Sequence, residues 1–351
     1  MENLDFITLA IPIFFLLIVA EILFDALRRG NAYRLNDGIS NLSAGTFQQL
    51  YGFVPKAISA FVFTITYQGV GLFKETLTYD KIWVWVLLFV LVDFIYYWFH
   101  RASHRIALFW SGHVVHHQSE EYNLTVALRQ SWVQGIFSAP LIAIYGLLGF
   151  DFLVVVAVGS LNTISQFWIH TRYIKKLPSF LEAFLNTPSH HRVHHGRNLQ
   201  YIDKNYAGAF IIWDKIFGTF EPEVEELVYG ITVPTKTWNP FYDQFSNLRD
   251  LIQLAVSRSL VSGLRTFIKP PGWDPKQEEN LKFVGRAKFN PKVSNSTKIL
   301  AACLYLATVG LASFYLFQIE ILAFEAKAGL IILSSVMLLS VGRLLDGSKK
   351  A

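Results

Sequence analysis

Cysteine is nearly missing from this sequence of 351 residues, in which Cys303 is the only one. A single cysteine excludes an internal disulfide and any zinc site built on pairs of cysteines. Charged residues are scarce too: Asp, Glu, Lys and Arg make up 16% of the chain, whereas soluble domains have about a quarter. No stretch interleaves Lys and Arg with aromatic residues, so nucleic acid is excluded as a partner despite the net charge of +5.

Apolar residues dominate what is present, with 52% hydrophobic residues, 30 phenylalanines and a mean hydropathy of +0.35. About 20 consecutive apolar residues suffice for a helix to cross a bilayer. The apolar runs therefore predict an all-α integral membrane protein with about seven transmembrane or re-entrant helices. We expect these at about residues 6–27, 43–73, 82–99, 131–149, 152–169, 299–317 and 324–344. The first run lacks a small-residue cleavage site, so we expect a retained span rather than a signal peptide.

Basic residues gather at one set of span ends, which predicts the orientation of the chain. The opposite ends carry only Lys74, Lys81 and Lys327 among several acidic residues. Cytosolic loops of membrane proteins have an excess of Lys and Arg. An alternating path then places every histidine on the cytosolic side, in a helical cap. The basic ends comprise Arg28, Arg29, Arg34, Arg101, Arg105, Arg129, Arg172, Lys175, Lys176, Arg343, Lys349 and Lys350.

The same pattern divides the chain into four regions. We expect N-terminal spans in 1–80, a histidine-rich catalytic core in 81–240, an amphipathic or cytosolic segment in 241–297 and a two-span hairpin in 298–351. Residues 241–267 repeat apolar side chains at helical spacing with arginines between them. This predicts either an amphipathic helix on the membrane surface or an ordinary helix packed on the core.

All ten histidines lie between positions 100 and 195, in spacings that metal sites use. Rings at i, i+3 and i+4 share one helix face, and neutral imidazole suits iron, zinc and copper. Nine or ten rings exceed the four ligands of one zinc ion, so we expect two metal ions. The candidate ligands are His100, His104, His113, His116, His117, His170, His190, His191, His194 and His195. A nitrogen-rich pair of sites with open positions suits iron that activates O2, while zinc and copper remain alternatives.

Polar residues near the histidines are candidates for catalysis and cofactor binding. Asn162, Gln166 and His170 follow one another at intervals of four, which makes a polar stripe on one helix face. Asp93 is expected either to accept a ring N–H from a histidine or to pair with another helix. Four residues after the second histidine motif are expected to bind a cofactor or orient histidines, or else to cap a turn: Glu120, Glu121, Tyr122 and Asn123.

The motifs and their surroundings resemble the fatty acid hydroxylase and sterol desaturase superfamily, and within it the alkylglycerol monooxygenase family. Besides the histidine spacing, the resemblance rests on residues 93–101, 120–130, 166–171, 186–198, 203–208 and 212–220. It is strong over about 90–240, and the terminal spans share only hydrophobicity. It implies that nine of the ten histidines hold two non-haem irons, and that the tenth, His190, lies close to them. Asn162 would complete the polar shell or hold a water.

The resemblance also implies the reaction, a monooxygenation in which O2 hydroxylates a lipid. In the family, hydroxylation beside an ether oxygen splits an alkylglycerol into a fatty aldehyde and a glycerol derivative. A sterol or fatty-acyl hydroxylase or desaturase with the same di-iron site is one alternative. A histidine-rich metal-binding membrane protein without catalysis is another.

The electron donor implied by the resemblance is tetrahydrobiopterin or another external reductant. Arg105 stands where relatives carry a Glu, and a guanidinium cannot accept hydrogen bonds from a pterin. The chain has no glycine-rich dinucleotide loop that would make it its own reductase. The membrane is expected to be the bacterial inner membrane or the endoplasmic reticulum.

Overall fold

The computed structural model describes residues 6–274 and 287–347, and its regular structure is helical. Within these ranges there is no β-strand, only two isolated bridges, Leu185–Phe210 and Gly196–Tyr229. The all-α class is therefore confirmed. The α-helices are α1 (Phe6–Leu27), α2 (Leu35–Tyr51), α3 (Phe53–Gly69), α4 (Ile82–Arg105), α5 (Ala107–His117), α6 (Leu124–Ala127), α7 (Trp132–Ser138), α8 (Ile142–Leu148), α9 (Phe152–Ser165), α10 (Ser179–Phe184), α11 (Pro188–His194), α12 (Ile212–Ile216), α13 (Pro240–Val256), α14 (Leu260–Ile268), α15 (Asn295–Phe317) and α16 (Phe324–Asp346).

Four of these helices, α1, α4, α15 and α16, are long and apolar enough to cross a membrane. Helices α2 and α3 meet at Gly52 with a bend of 47° and together make a fifth candidate. The outer faces of the long helices expose large apolar side chains, such as Leu16 on α1 and Leu306 on α15, each more than 60% exposed. Exposed leucines on an apolar helix are what a lipid-facing surface requires.

The apolar hairpin expected at residues 131–149 and 152–169 is shorter than two full spans. A 3-10 turn, Ala139–Leu141, separates α7 from α8 because Pro140 has no N–H to donate to the helix. From Trp132 to Leu148 the chain rises about 25 Å and α9 rises about 21 Å, against a hydrocarbon core of about 30 Å. The described residues therefore contain four or five candidate full spans, and the two short arms of this hairpin are the remaining apolar helices of the about seven transmembrane or re-entrant helices expected.

Three apolar clusters hold the helices together. The largest joins α2 with α15 and α16 through Phe47, Leu50 and Leu338. A second joins α3, α4, α8 and α9, and a third joins α1 to α6 and to Phe167. At the crossing of α5 and α7, Gly112 permits a close approach, since an added Cβ would lie 2.9 Å from the backbone nitrogen of Gln134. The second cluster contains α4 residues from Val84 to Ile95 and so packs the part of α4 that precedes its histidines.

The segment expected to form one helix over 241–267 forms two, α13 and α14, with a break between Val256 and Leu260. Helix α13 packs on α2 and α5, and its Asp243 and Gln244 are fully buried. Helix α14 exposes Leu260, Val261, Leu264 and Ile268 along one face. The expectation of a helix packed on the core thus fits α13. The exposed apolar face of α14 is the feature that the expectation of a membrane-surface helix requires. Lys349 and Lys350, expected on the basic side, lie outside the described residues.

Candidate metal centre

Nine of the ten histidines form two buried groups, in each of which the ligand nitrogens lie within 4.8 Å of one another. The five-histidine group contains His100, His104, His113, His117 and His194. The four-histidine group contains His116, His170, His191 and His195. Both H-x2-H-H motifs contribute rings to both groups, so the groups are neighbours that share their helices.

Three helix ends bring the rings together. His100 and His104 lie one turn apart at the end of α4. His113, His116 and His117 lie at the end of α5. The second motif lies on the short helix α11 and its C-cap, and His170 follows α9. Ring positions at helix ends leave room for ions between helices.

Most Nδ1 atoms are hydrogen-bonded away from the centre of their group. His100 Nδ1 lies 2.7 Å from the Tyr206 carbonyl oxygen, and His194 Nδ1 lies 3.0 Å from that of Lys204. In the four-histidine group, His116 bonds to the Arg129 carbonyl at 3.0 Å and His170 to that of Gln166 at 2.9 Å. Donation from Nδ1–H fixes the tautomer that presents a lone pair on Nε2.

The Nε2 atoms converge at distances that suit shared metal ions. His100 and His117 each place Nε2 within 3.1 Å of His113 Nε2. His116 and His191 place Nε2 3.3 and 3.0 Å from His170 Nε2. Two nitrogen ligands about 2.1 Å from one ion are separated by about 3.0–3.4 Å.

Three further ring nitrogens fit the same interpretation. The Nε2 atoms of His104, His194 and His195 are buried and have no hydrogen-bond partner among the described residues. A buried polar atom without a partner costs free energy, and a metal ion at each group would supply the missing partner. The nine histidines thus fit two metal ions.

Burial keeps the imidazole rings of His113 and His170, which lie outside the candidate membrane spans, in the neutral form. Burial and the nearby His104 ring lower the pKa of His113 to about 3. Burial lowers the pKa of His170 to about 4, although hydrogen bonds to Gln166 and Phe167 oppose the shift. A neutral imidazole has the lone pair that a metal needs, so these rings are ready to bind at physiological pH.

His190 lies outside both groups and has its own structural partners. Its Nδ1 accepts a 3.4 Å bond from the Thr187 backbone N–H, which completes a capping box at the start of α11. Its Nε2 lies 2.9 Å from a Glu182 carboxylate oxygen. His190 therefore orients the helix that carries His191 and His194.

Asp93 holds a loop in place rather than a histidine ring. Its carboxylate accepts bonds from the backbone N–H groups of Ala209 and Phe210 at 2.6 and 3.0 Å, and from Trp213 Nε1 and Asn162. A Cβ on Gly208 would lie 2.6 Å from this carboxylate, so only glycine fits there. The role expected for Asp93, accepting a ring N–H, is wrong in this form; the expected alternative, a pairing with another helix, is met by Asn162 of α9.

Asn162 and Gln166 continue from Asp93 toward the metal centre. Gln166 Nε2 donates to the side-chain oxygen of Asn162 at 3.0 Å, and Asn162 Nδ2 donates to Asp93 at 2.8 Å. The Gln166 backbone oxygen is the acceptor for His170. The expected stripe does not lie on one helix face, because α9 ends at Ser165 and Gln166 is its C-cap, but hydrogen bonds still connect Asn162 through Gln166 to His170.

Asp214 was not anticipated as part of the centre. Its carboxylate accepts bonds from the backbone N–H groups of Tyr206 and Ala207, both at 2.8 Å, and from Thr219 at 2.6 Å. Burial raises its pKa to about 6. By holding Tyr206, Asp214 holds the carbonyl that His100 uses. Its stretch, 212–220, contributed to the family resemblance, but its neighbours Trp213 and Lys215 gave no indication of this role.

Arg129 and Gln134 were also missed as partners of histidines. Arg129 is fully buried, forms a 2.5 Å ion pair with Asp243 and presents its carbonyl to His116. Gln134 accepts a 3.0 Å bond from His113 Nδ1. Arg129 was expected among the basic residues at the span ends, and the structure buries it.

The four cofactor candidates contact the protein itself. Glu121 forms ion pairs with Arg34, Arg172 and Lys288. Glu120 accepts from the Phe289 backbone at 2.6 Å. Asn123 caps α6, and Tyr122 donates to the Ile169 carbonyl at 3.0 Å while stacking near His170. These contacts fit the structural alternative that the sequence left open.

A cavity of about 410 Å³ adjoins both groups. Three histidines line it, His113, His116 and His170. The walls come from α1, α2, α7, α9 and α15, with apolar side chains such as Phe14, Leu128 and Leu316. An apolar pocket with a few polar groups at one end is the usual form of a lipid or small-molecule site.

Known proteins resemble this chain in sequence. The family model described as Fatty acid hydroxylase matches residues 85–219, which include all ten histidines. Alkylglycerol monooxygenase of Xenopus tropicalis is 38% identical over 352 residues, covering 97% of this chain and 75% of the relative. The human enzyme is 42% identical over 278 residues, covering 77% and 60%. Ornithine lipid hydroxylase OlsE of Rhizobium tropici is 28% identical over 151 residues, covering 42% of this chain and 45% of the relative. No solved structure matches.

Proposed function

The chain belongs to the alkylglycerol monooxygenase family of fatty acid hydroxylases, and from this premise we propose that it is a membrane-bound di-iron monooxygenase of ether lipids. In the reaction, O2 would hydroxylate the carbon beside the ether oxygen of an alkylglycerol. One oxygen atom would enter the C–H bond, and two electrons and two protons would reduce the other to water. The resulting hemiacetal would collapse to a fatty aldehyde and a free glycerol.

The observation that carries this proposal is the contact between the metal candidates and the apolar cavity. His116 and His170 of the four-histidine group, and His113 of the other, line a space walled by membrane helices. A lipid chain can occupy such a space without contact with water. Storage of metal would not require a cavity beside the ligands.

The nine grouped histidines would hold two irons, which supply activation of O2 when bound. The other residues of the chain would hold this arrangement. Arg129 and Asp214 fix backbone carbonyls that orient His116 and His100, and Gln134 orients His113. Aromatic and aliphatic side chains of α1, α2 and α15 would hold the alkyl chain.

We propose further that the histidines lie on the cytosolic side of the membrane. Support comes from the basic residues at the C-terminal ends of two spans. Arg28 and Arg29 directly follow α1, and Arg101 and Arg105 lie in the last turns of α4, beside its histidines. The hairpin of α7, α8 and α9 would then be re-entrant, since each arm is shorter than the bilayer core. The division into four regions stays part of this proposal.

An external reductant must supply the two electrons, and tetrahydrobiopterin is the first to test. Arg105 bonds to Asp203 at 2.7 Å, and Asp203 lies 3.7 Å from His104 Nδ1. The position that carries Glu in relatives therefore holds a cation tied to the five-histidine group. A donor other than a pterin remains an outcome of the experiment.

The experiment is metal analysis followed by turnover. Protein purified in mild detergent from iron-supplemented cells should hold about two irons per chain. With O2, tetrahydrobiopterin and 1-O-hexadecylglycerol it should release hexadecanal, and omission of O2 should abolish the aldehyde. Hydroxylated sterol or fatty acid without aldehyde would favour the alternative substrates. Bound metal with no O2-dependent oxidation of any reductant would favour a non-catalytic metal-binding protein.

A further inference from the structure

Five glutamines line the cavity, and we propose that the three that lie beside its histidines recognise the hydroxyl groups of the substrate. Gln130, Gln134 and Gln166 form this set, which we call the glutamine collar. The inference rests on the proposed function for the identity of the lipid. To that function it adds the residues that select an ether lipid whose head group carries hydroxyls over an ether lipid that has none.

Each member of the collar lies beside a different cavity-lining histidine. Gln134 Oε1 bonds to His113 Nδ1 at 3.0 Å, and Gln130 Nε2 lies 3.4 Å from His116 Nδ1. Gln166 contributes its backbone oxygen to His170, 2.9 Å from Nδ1. The collar therefore lies at the end of the cavity where the reacting carbon must come closest to the metal centre.

Each collar amide also keeps one polar end without a protein partner. Gln134 uses its oxygen for His113, and its Nε2 bonds to none of the described residues. Gln130 and Gln166 use their Nε2 groups for Ala127 and Asn162, and their side-chain oxygens accept no bond from the part of the chain that the structure describes. The collar thus offers one N–H donor group and two carbonyl acceptors.

A hydroxyl group is the complement of this set, because it both donates and accepts. Of the side chains that line the cavity in the described ranges, none belongs to Asp, Glu, Lys or Arg. A charged head group would lose its hydration there without a counter-charge, which costs more than the loss of a hydroxyl's hydration. The collar and walls together favour an uncharged head group that carries hydroxyls.

The placement also suits the reaction. In an alkylglycerol, the carbon that is oxidised is separated from the nearest hydroxyl by the ether oxygen and two carbons. Hydroxyls held by the collar would hold that carbon beside the histidines, while the alkyl chain extends along α1, α2 and α15. Fixing a reacting carbon in this way is a large part of catalysis for an unactivated C–H bond.

The test compares two ethers of equal chain length, 1-O-hexadecylglycerol and hexadecyl methyl ether, which lacks hydroxyls. Gln130→Met and Gln166→Met keep side-chain length and remove the amide. Both spare the histidines, since His116 keeps the Arg129 carbonyl and His170 keeps a backbone oxygen. Gln253→Met, on the exposed side of α13, is the matched control. Metal content of each variant is measured first.

Two readouts are taken. The first is the ratio of kcat/KM for the two ethers. The second is the rise in melting temperature of the anaerobic protein with each ether, which reports binding without turnover. We expect the native protein to prefer the glycerol ether in both, and each collar variant to lose about fivefold of that preference, the size of one neutral hydrogen bond. Gln253→Met should keep the full preference.

Each outcome decides something. If the native protein cleaves hexadecylglycerol and both variants keep its preference, the collar is overturned and the proposed function stands. If the native protein cleaves neither ether, the proposed function fails, and the binding readout alone decides whether the collar recognises hydroxyls. If one variant fails to fold or loses metal, the other decides. Equal binding of both ethers by the native protein would overturn the collar outright.

Discussion

The two histidine groups use the same kind of ligand but lie beside different surroundings. His116 and His170 of the four-histidine group line the apolar cavity, whereas only His113 represents the five-histidine group there. The five-histidine group borders the polar surface instead, where His104 lies 3.7 Å from Asp203. An ion with four nitrogen ligands also leaves more positions open than one with five. Equal ligands therefore do not imply equal surroundings: one group adjoins the apolar cavity, and the other lies near the partly exposed ion pair of Arg105 and Asp203.

The largest effect is expected from removing one ligand of each group. His191→Ala leaves three histidines in the four-histidine group, while His104→Ala leaves four in the other. We expect His191→Ala to lose about one iron per chain and at least ~10²-fold of turnover, because a missing ligand deprives the ion of its geometry. His104→Ala should retain more metal. Iron analysis and aldehyde release measure both.

The control for this comparison is His190→Ala. Its ring lies outside both groups and bonds to Thr187 and Glu182. It should keep both irons while lowering the melting temperature. Loss of an iron in His190→Ala, or equal losses in the two ligand variants, would contradict the distinction between the groups.

The second prediction concerns the buried ion pair behind the four-histidine group. Arg129 and Asp243 lie 2.5 Å apart with almost no exposure. Asp243→Ala leaves a buried guanidinium without a counter-charge, so we expect a loss of about 3–5 kcal/mol in the free energy of unfolding. Thermal unfolding in detergent measures it. The exposed pair Arg249–Asp250 supplies the matched control, and Asp250→Ala should leave the melting temperature unchanged.

The third prediction sharpens the role of the loop behind the five-histidine group. Asp93→Asn replaces one of the two carboxylate oxygens by an NH2 group, which cannot accept, so the bond from either Ala209 or Phe210 is lost. The loop that carries the Tyr206 carbonyl should then hold His100 less well. We expect about tenfold weaker metal binding in the five-histidine group, as for other partners of metal-bound histidines. Titration with a chelator measures this, and unchanged release of both metals would show that the loop is held by Asp214 alone.

The smallest effect is a pH dependence of the metal-free protein. Burial lowers the pKa of His113 to about 3 and that of His170 to about 4, below the value of about 6.5 in an unfolded chain. Between about pH 6.5 and 4 the unfolded state binds more protons, so stability must fall as the pH falls through this window. The melting temperature of the apoprotein should therefore drop from pH 7 to pH 5. The metal-loaded protein should change less, since bound metal keeps the rings neutral.

Much of the centre could be predicted from spacing alone. Rings at i, i+3 and i+4 on a helix must share a face, and nine of the ten expected ligands do converge. The partners of those rings could not be predicted, because the Tyr206, Arg129 and Lys204 acceptors are backbone carbonyls that any residue carries. Asp93 was expected near a histidine for a sound reason, yet tertiary folding placed a loop between them.

The number of spans likewise separates what local composition predicts from what only the folded structure decides. Hydropathy identified all four long spans, since α1, α4, α15 and α16 are apolar over a full bilayer thickness. It overestimated the length of the helices in the hairpin, because hydropathy reports composition and not the residue at which a helix ends. Pro140 ends α7 with a 3-10 turn, and Asp151 caps α9, so each arm stays short.

Part of the cavity wall comes from stretches far from the histidines in sequence. Phe14 on α1 and Leu316 on α15 lie outside 85–219, the part that the family model matches. Mutations in these outer stretches can reshape that part of the cavity without replacing a single histidine. The outer wall and the histidines are therefore encoded by separate segments of the gene, so that one can change while the other is kept.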